Sequence, residues 1–160
     1  MAVNLTEEQI AIRDTFARFT DEQIIPNAEA IDEAHEYPRE TVKQLAELGF
    51  VGMRYPEADG GSDGDLTTFC LCVEEIARGS MSVAGCISMQ SLMGTKFLQM
   101  LGNDDIKERL FQPAMAAEKI GAICMTEPNA GSDLGGLATS ATKTEGGWVL
   151  NGNKIWVTAA

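Results

Sequence analysis

The sequence predicts an α+β fold in which an all-α amino-terminal domain, residues 1–119, precedes the first strands of a β domain, residues 120–160. Apolar residues recur at helical spacing through the first two-thirds of the chain. From about Ile120 onward Gly, Thr, Ser and Val become common, and short alternating runs replace the helical pattern. The second part holds only about 40 residues, which is too short to close a barrel or a sandwich alone.

The first predicted helix begins with a capping signal. Thr6 precedes Gln9 by three residues in a capping-box pattern, and the intervening Glu7 and Glu8 favour the positive end of the helix dipole. An apolar stripe at roughly helical spacing then follows, formed by Ile10, Ile12, Phe16, Phe19 and Ile24. Pro26 cannot donate a backbone hydrogen bond, so we expect it to kink or divide this helix.

A second helix is predicted to start at Tyr37-Pro38 and to end at Gly49, a suitable C-cap residue. Its apolar positions are Val42, Leu45 and Leu48. Residues 56–64 combine one Pro, three Gly and three acidic residues, which predicts a loop.

Helical structure is predicted to resume from Leu66 to Arg78. Ser80 is then a candidate cap for a helix that runs to about Met100. After a break at residues 102–104, Asp104 or Asp105 is expected to cap a short amphipathic helix.

The β part is expected to contain a hairpin. Gly146-Gly147 separates residues 138–144 from residues 148–158 and is typical of a hairpin turn. The sequence stops at Ala160 directly after an apolar run, so we expect it to be cut from a longer chain. Because missing strands would leave an open sheet edge, we also expect the 160-residue chain to be poorly soluble alone.

The charge balance excludes some partners. With 24 Asp and Glu against 12 Lys and Arg, the net charge is −12, which argues against nucleic acid or an anionic membrane surface. No apolar run approaches the roughly 20 residues of a membrane span, and the amino terminus has no leader pattern. We expect a soluble protein of the bacterial cytosol, or of the mitochondrial matrix if it is eukaryotic.

The cysteines do not suggest a metal site. Cys70, Cys72, Cys86 and Cys124 lack paired ligand spacing, and the chain has one histidine. We expect reduced, mostly buried thiols that behave as small apolar side chains.

The segment from Met125 to Asp133 is the more informative of two that could carry chemistry. Pro128 restricts the backbone, Gly131 permits close approach or a positive φ, and Thr126 and Ser132 supply hydroxyls. Such a turn can offer N–H and O–H donors to a phosphate or a ring oxygen without a cationic side chain. An ordinary tight turn after a strand is the alternative.

The second segment runs from Trp148 to Thr158. If it is extended, Trp156 and Thr158 lie on one face, where an indole could pack on a flat conjugated ring beside a hydroxyl donor. A core Trp with a half-exposed Thr is the alternative.

Together, these segments strongly resemble the acyl-CoA dehydrogenase family. Its signature includes Thr-Glu-Pro-x-Ala-Gly-Ser-Asp, here Thr126 to Asp133, and later Asn-Gly-x-Lys-x-Trp-[Ile/Val]-[Thr/Ser]-Asn, here Asn151 to Ala159. Ala159 departs from the usual Asn. Earlier segments resemble the family's helical domain as well: Tyr37-Pro38, Gly49-Phe50-x-Gly52, Pro56-Glu57-x-x-Gly60-Gly61 and Glu74-Glu75-Ile76-Ala77.

The resemblance implies a helical domain, a β-barrel-like middle domain and a carboxy-terminal helical domain that lies outside this sequence, with FAD as cofactor. It places Met125 and Thr126 at the flavin ring edge, and Gly131 and Ser132 near the pyrophosphate and the CoA arm. Trp156 would pack beside the isoalloxazine and Thr158 near its N5. Ile123 would belong to the same cofactor-binding set, at a position that is often aromatic in the family.

The resemblance also implies an acyl pocket and a reaction. Its candidate lining residues are Gly85, Ser88, Met89, Leu92 and Met93, with core packing as the alternative for each. A carboxylate would remove the α proton of an acyl-CoA thioester while the β hydrogen leaves as hydride. That carboxylate belongs to the missing domain, so no catalytic residue is assigned here. Glu127 is expected to anchor its turn through hydrogen bonds instead.

The implied partners are the acyl-CoA substrate, an electron-transfer flavoprotein and further copies of the chain, commonly in a tetramer. An acyl-CoA oxidase or a nitroalkane-oxidising relative stays open within the same fold. A catalytically incomplete binding or assembly module is the alternative from another class.

Overall fold

The computed structural model describes residues 4–159, which form two compact units that divide after Gly121. The first unit is helical. Its α-helices are α1 (Glu7–Phe19), α2 (Ala28–Ala34), α3 (Arg39–Glu47), α4 (Leu66–Gly79), α5 (Met81–Met89), α6 (Lys96–Leu101), α7 (Asp104–Ile106) and α8 (Gln112–Met115). The second unit contains the strands β1 (Ser140–Thr144) and β2 (Gly147–Asn151).

The start of α1 confirms the predicted capping box. The Gln9 amide N–H donates to the Thr6 hydroxyl at 3.1 Å, and the Thr6 amide N–H donates to the Gln9 side chain at 3.0 Å. The predicted division at Pro26 is also present. A π-helical turn, Thr20–Ile24, and a 3-10 turn, Ile25–Asn27, separate α1 from α2.

The end of α3 confirms the predicted C-cap glycine. Gly49 has a φ of +86°, a left-handed conformation in which a side chain would be strained. Its amide donates to the Ala46 carbonyl at 2.8 Å. The apolar face of α3 is buried through Val42 and Leu45, whereas Leu48 is 41% exposed.

The predicted helix from Ser80 to Met100 is interrupted. Ser80 caps α5 as expected, accepting from the Val83 amide at 3.3 Å, but a π-helical turn at Gln90–Gly94 separates α5 from α6. The Thr95 hydroxyl donates to the Gln90 and Ser91 carbonyls, both at 2.9 Å. These side-chain bonds satisfy carbonyls that a regular helix would pair with its own amides.

The predicted cap of the next helix was one residue too late. Asn103, rather than Asp104 or Asp105, accepts from the Ile106 amide at 2.9 Å. The two aspartates instead occupy the first turn, where carboxylates favour the positive end of the helix dipole.

Aromatic rings form the centre of the helical core. The Phe50 ring lies 5.7 Å from the Phe16 ring and 5.0 Å from the Phe69 ring, measured between centroids. The buried residues of this cluster are Phe16, Ile24, Val42, Leu45, Phe50, Val51, Met53, Phe69, Cys72, Ile76, Val83, Ala84, Ile87 and Ala117. Among the cysteines, Cys72 is buried and Cys86 half-buried, but Cys70 and Cys124 are exposed, so the prediction of mostly buried thiols was wrong for those two.

The hairpin of the second unit is antiparallel, with Thr144 opposite Gly147 and Ser140 opposite Asn151. The turn residues are therefore Glu145 and Gly146, not the predicted Gly146-Gly147, and Gly146 has the positive φ, +86°. Every residue of both strands is exposed among the described residues.

The predicted second strand is too long. It ends at Asn151, and Trp156 has a left-handed φ of +56°, so the segment from Trp156 to Thr158 is not extended. The backbone departs from the strand because Ile155 bonds to the Thr126 carbonyl rather than to β1, with its N–H donating at 3.0 Å.

Candidate functional site

The segment that follows Met125 forms a tight turn. The Glu127 amide donates to the Ala130 carbonyl at 2.8 Å, and the Ala130 amide donates back to the Glu127 carbonyl at 3.2 Å. Glu127 and Ala130 are buried, while Gly131 and Ser132 are exposed. A Cβ added at Gly131 would meet nothing within 4 Å, and its φ is not positive. The unit therefore leaves room for a ligand to approach the Gly131 backbone.

Glu127 is the buried anchor of this turn, with 6% of its surface exposed. Its carboxylate accepts from the Ala138 amide at 2.7 Å, the Thr139 amide at 3.0 Å and the Lys154 ammonium at 2.8 Å. The Lys154 hydrogen bond, followed by those from Thr139 and Ala138, lowers the pKa of Glu127 to about 2. A carboxylate held by three donors binds a proton weakly, which confirms the anchoring role expected for this residue and disfavours it as a base.

Lys154 joins the two segments that the sequence analysis singled out. Besides Glu127, its ammonium donates to the Met125 carbonyl at 3.2 Å. The next residue, Ile155, donates its amide hydrogen to the Thr126 carbonyl. Met125 and Thr126 are thereby fixed beside the chain that leads into Trp156. Sequence reasoning missed Lys154, although it stands inside the Asn-Gly-x-Lys-x-Trp signature.

The predicted flavin contacts of this unit are accessible. Trp156 is 87% exposed, and Thr158 and Ser132 are exposed as well, while Ile123, Met125 and Thr126 are half-buried. A largely exposed indole, exposed hydroxyls and an unobstructed glycine backbone are groups that suit a ligand with a flat ring and an anionic arm. This set of groups fits FAD.

The predicted acyl-pocket residues lie along one helical stretch of the first unit. Met89 ends α5, and Leu92 and Met93 belong to the π-helical turn. Met89 and Met93 are half-buried, and Leu92 is 37% exposed. Immediately before Met89, the Ser88 hydroxyl is buried without a hydrogen-bond partner among the described residues, and Gly85, one turn earlier, has open space beside it.

The chain matches two adjoining family models. Residues 6–119 match the acyl-CoA dehydrogenase amino-terminal domain, and residues 122–160 match the middle domain. The chain belongs to the acyl-CoA dehydrogenase family. This confirms the resemblance and the predicted fold class, a helical domain followed by the first strands of the β domain.

Relatives of the family extend well beyond this chain. The benzylmalonyl-CoA dehydrogenase of Aromatoleum aromaticum is 64% identical over 160 residues, which are all of this chain and 42% of that protein. The 3-(aryl)acrylate reductase of Clostridium sporogenes is 40% identical over 157 residues, or 97% of this chain and 41% of that protein. The chain thus spans less than half the length of the curated relatives it matches.

Solved structures agree with the fold. An acyl-CoA dehydrogenase from Bacillus anthracis, complexed with FAD, superposes with a TM-score of 0.87 at 29% identity, covering 98% of this chain and 27% of that one. The predicted cofactor, FAD, is thereby confirmed for the family. None of the described helices is long and apolar enough to cross a membrane, and residues 4–159 contain no cluster of metal-ligating side chains.

The Glu127 anchor predicts how the stability of the second unit depends on pH. Because the folded-state pKa, about 2, lies below the ordinary value of 4.5, the stabilisation is present above about 4.5 and is lost as the pH falls towards 2. Thermal unfolding of the wild type and of Glu127→Gln, followed between pH 7 and pH 2, measures this. The wild-type melting temperature should fall through that window more steeply than the variant's. Parallel curves would contradict the assignment.

Proposed function

We propose that the complete protein is an FAD-dependent acyl-CoA dehydrogenase that converts an acyl-CoA thioester into the α,β-enoyl-CoA. The observation that carries this proposal is the arrangement in which Lys154 and Ile155 bond to the backbone of Met125 and Thr126, next to the exposed Trp156. Family membership supports it. Both halves of the family signature thus belong to one hydrogen-bonded structure.

Each predicted residue then has a role in holding the cofactor. Met125 and Thr126 would hold the ring edge through backbone and hydroxyl, and Ile123 would belong to the same cofactor-binding segment. Trp156 would pack beside the ring, and Thr158 would supply a hydroxyl hydrogen bond to it. Bound FAD supplies the hydride acceptor for the β hydrogen, which is chemistry that no side chain offers.

Gly131 and Ser132 form the part of the site that would bind the anionic groups of the ligands. The free space at Gly131 lets a diphosphate approach the backbone N–H groups, and the exposed Ser132 hydroxyl adds a neutral donor. This arrangement explains how a chain with a net charge of −12 can bind two anionic nucleotides, FAD and CoA. Ser132 is the residue that we assign to both ligands.

The catalytic carboxylate is assigned to the polypeptide outside residues 1–160. Glu127 is fully occupied by its three donors and is not that group. By the same reasoning the 160-residue chain alone is inactive. Electron-transfer flavoprotein is the proposed acceptor, a homotetramer the proposed assembly, and the bacterial cytosol, or the mitochondrial matrix in a eukaryote, the proposed location.

The proposed substrate carries an aromatic ring on its acyl group, as benzylmalonyl-CoA does. The support is the 64% identity with the Aromatoleum enzyme across this entire chain. That identity includes the pocket segment, residues 85–93, which holds the candidate acyl-pocket residues. Met89, Leu92 and Met93 offer flexible apolar surface that suits a bulky ring better than hydrogen-bonding groups would.

The visible absorbance spectrum of the complete protein tests this function. We expect a flavin spectrum that bleaches on anaerobic addition of benzylmalonyl-CoA, and much less with butyryl-CoA. Turnover should need electron-transfer flavoprotein. Hydrogen peroxide formed without that acceptor would indicate an oxidase instead. A protein that stays colourless with added FAD would leave a binding or assembly module and would refute the dehydrogenase.

A further inference from the structure

Gln90 is a fully buried amide at the first position of the π-helical turn, with 1% of its surface exposed. Its side-chain Nε2 donates to the Ala114 carbonyl at 2.7 Å and to the Lys119 carbonyl at 2.9 Å. Its Oε1 accepts from the Gly121 amide at 2.8 Å. One side chain therefore satisfies three backbone groups of the segment that ends the helical unit.

Residues 116–121 are neither helix nor strand. The amides of residues 116–119 bond back to carbonyls of α8. The Lys119 carbonyl and the Gly121 amide instead take their partner from the Gln90 side chain. Gly121 also lies against Gly94, the last residue of the π-helical turn. A Cβ added at Gly121 would fall 2.6 Å from the Gly94 Cα, and neither glycine has a positive φ. Close backbone approach, rather than turn geometry, requires glycine at Gly121.

Only an amide side chain fits this place. Two of the bonded groups are acceptors and one is a donor, so glutamate of the same shape would set a carboxylate beside two carbonyl oxygens. Methionine, of similar length, would remove the side-chain partner of all three backbone groups, of which the Ala114 carbonyl is buried and the other two are partly buried. The site therefore requires the hydrogen-bonding groups of an amide side chain, and not only a side chain of that length.

We propose that Gln90 is a positioning residue for the dehydrogenation, an inference that rests on the proposed function. Gln90 lies between Met89 and Leu92 in the pocket segment. Through Gly121 it holds the chain immediately before Ile123, Met125 and Thr126. Its three hydrogen bonds join the acyl-pocket turn to the end of the helical unit, whose last residue, Gly121, directly precedes the chain that leads to Ile123.

The test is Gln90→Met in the complete protein, with Gln44→Met as the matched control. Gln44 is a helical glutamine whose side-chain contact is to Glu40, one turn away. We expect kcat of Gln90→Met to fall on the order of 10- to 100-fold, the loss typical of small misplacements, with KM nearly unchanged. Its bound-flavin absorbance and visible circular dichroism should shift. Gln44→Met should match the wild type in all of these.

Gly121→Ala provides a second variant that leaves Gln90 intact and displaces the same backbone. It should reproduce the fall in kcat and the flavin shift. The proposal is overturned if a folded Gln90→Met protein keeps the wild-type kcat and flavin spectrum. It is also overturned if neither variant folds, because the contacts would then serve folding alone. A wild-type protein that stays colourless with added FAD would instead refute the proposed function. The absorbance of the wild type is therefore measured before that of any variant.

Discussion

Replacing Lys154 by methionine in the complete protein is expected to abolish most FAD retention and to lower kcat/KM about 100-fold. The variant keeps the length of the side chain but removes the donor to Glu127, at 2.8 Å, and to the Met125 carbonyl, at 3.2 Å. Glu127 then stays buried with two amide donors and no countercharge, so its pKa rises. The segment before Trp156 then keeps only the Ile155 amide bond to the Thr126 carbonyl and loses both hydrogen bonds of Lys154.

The measurement is the ratio of flavin to protein after gel filtration, together with steady-state kinetics. Lys143→Met is the matched control, because Lys143 is an exposed lysine of β1 in the same unit. Lys154→Arg should restore part of the binding, since it keeps the charge opposite Glu127 without the same geometry. Normal flavin content in Lys154→Met would show that the hydrogen bonds do not shape the site.

Replacing Phe50 by alanine is expected to destabilise the helical unit by about 3–5 kcal/mol, the range for a buried phenylalanine. Phe50 is 0% exposed and contacts the rings of Phe16 and Phe69, so truncation removes two aromatic pairs and leaves a cavity.

Thermal and urea unfolding of the complete protein, followed by far-ultraviolet circular dichroism, measure this effect. Phe97→Ala is the matched control, because the Phe97 side chain is 54% exposed in the described unit. It should change stability much less than Phe50→Ala. Equal losses at the two positions would show that Phe50 is not at the centre of the core.

Local signals in the sequence were sufficient for the starts of α1 and α5 and for the end of α3. Thr6 with Gln9, Ser80 and Gly49 each act through hydrogen bonds or dihedral angles of their immediate neighbours, so the pattern carries the information. Asn103 shows where such reasoning is least accurate. Asn and the two following aspartates are all good caps, and only the path of the chain selects one of them.

The candidate site was predictable as two segments but not as one structure. Motif spacing identified Thr126 to Asp133 and Asn151 to Ala159 and, through the family resemblance, FAD. The strand predicted through Trp156 and Thr158 was wrong because alternation of apolar residues cannot show which backbone a strand will pair with. Ile155 pairs with Thr126, far away in the sequence, and the chain turns there.

By itself the sequence determined the α+β class, the starts of α1 and α5, the family and the residues expected to meet FAD and acyl-CoA, because each follows from neighbouring residues or from a contiguous motif. Tertiary structure alone decided that Lys154 neutralises Glu127 and that Gln90 bonds to Ala114, Lys119 and Gly121. These hydrogen bonds join atoms more than 20 residues apart, and burial makes them strong by excluding water. A local sequence pattern indicates neither which distant residues will bond nor how deeply their bonds will be buried.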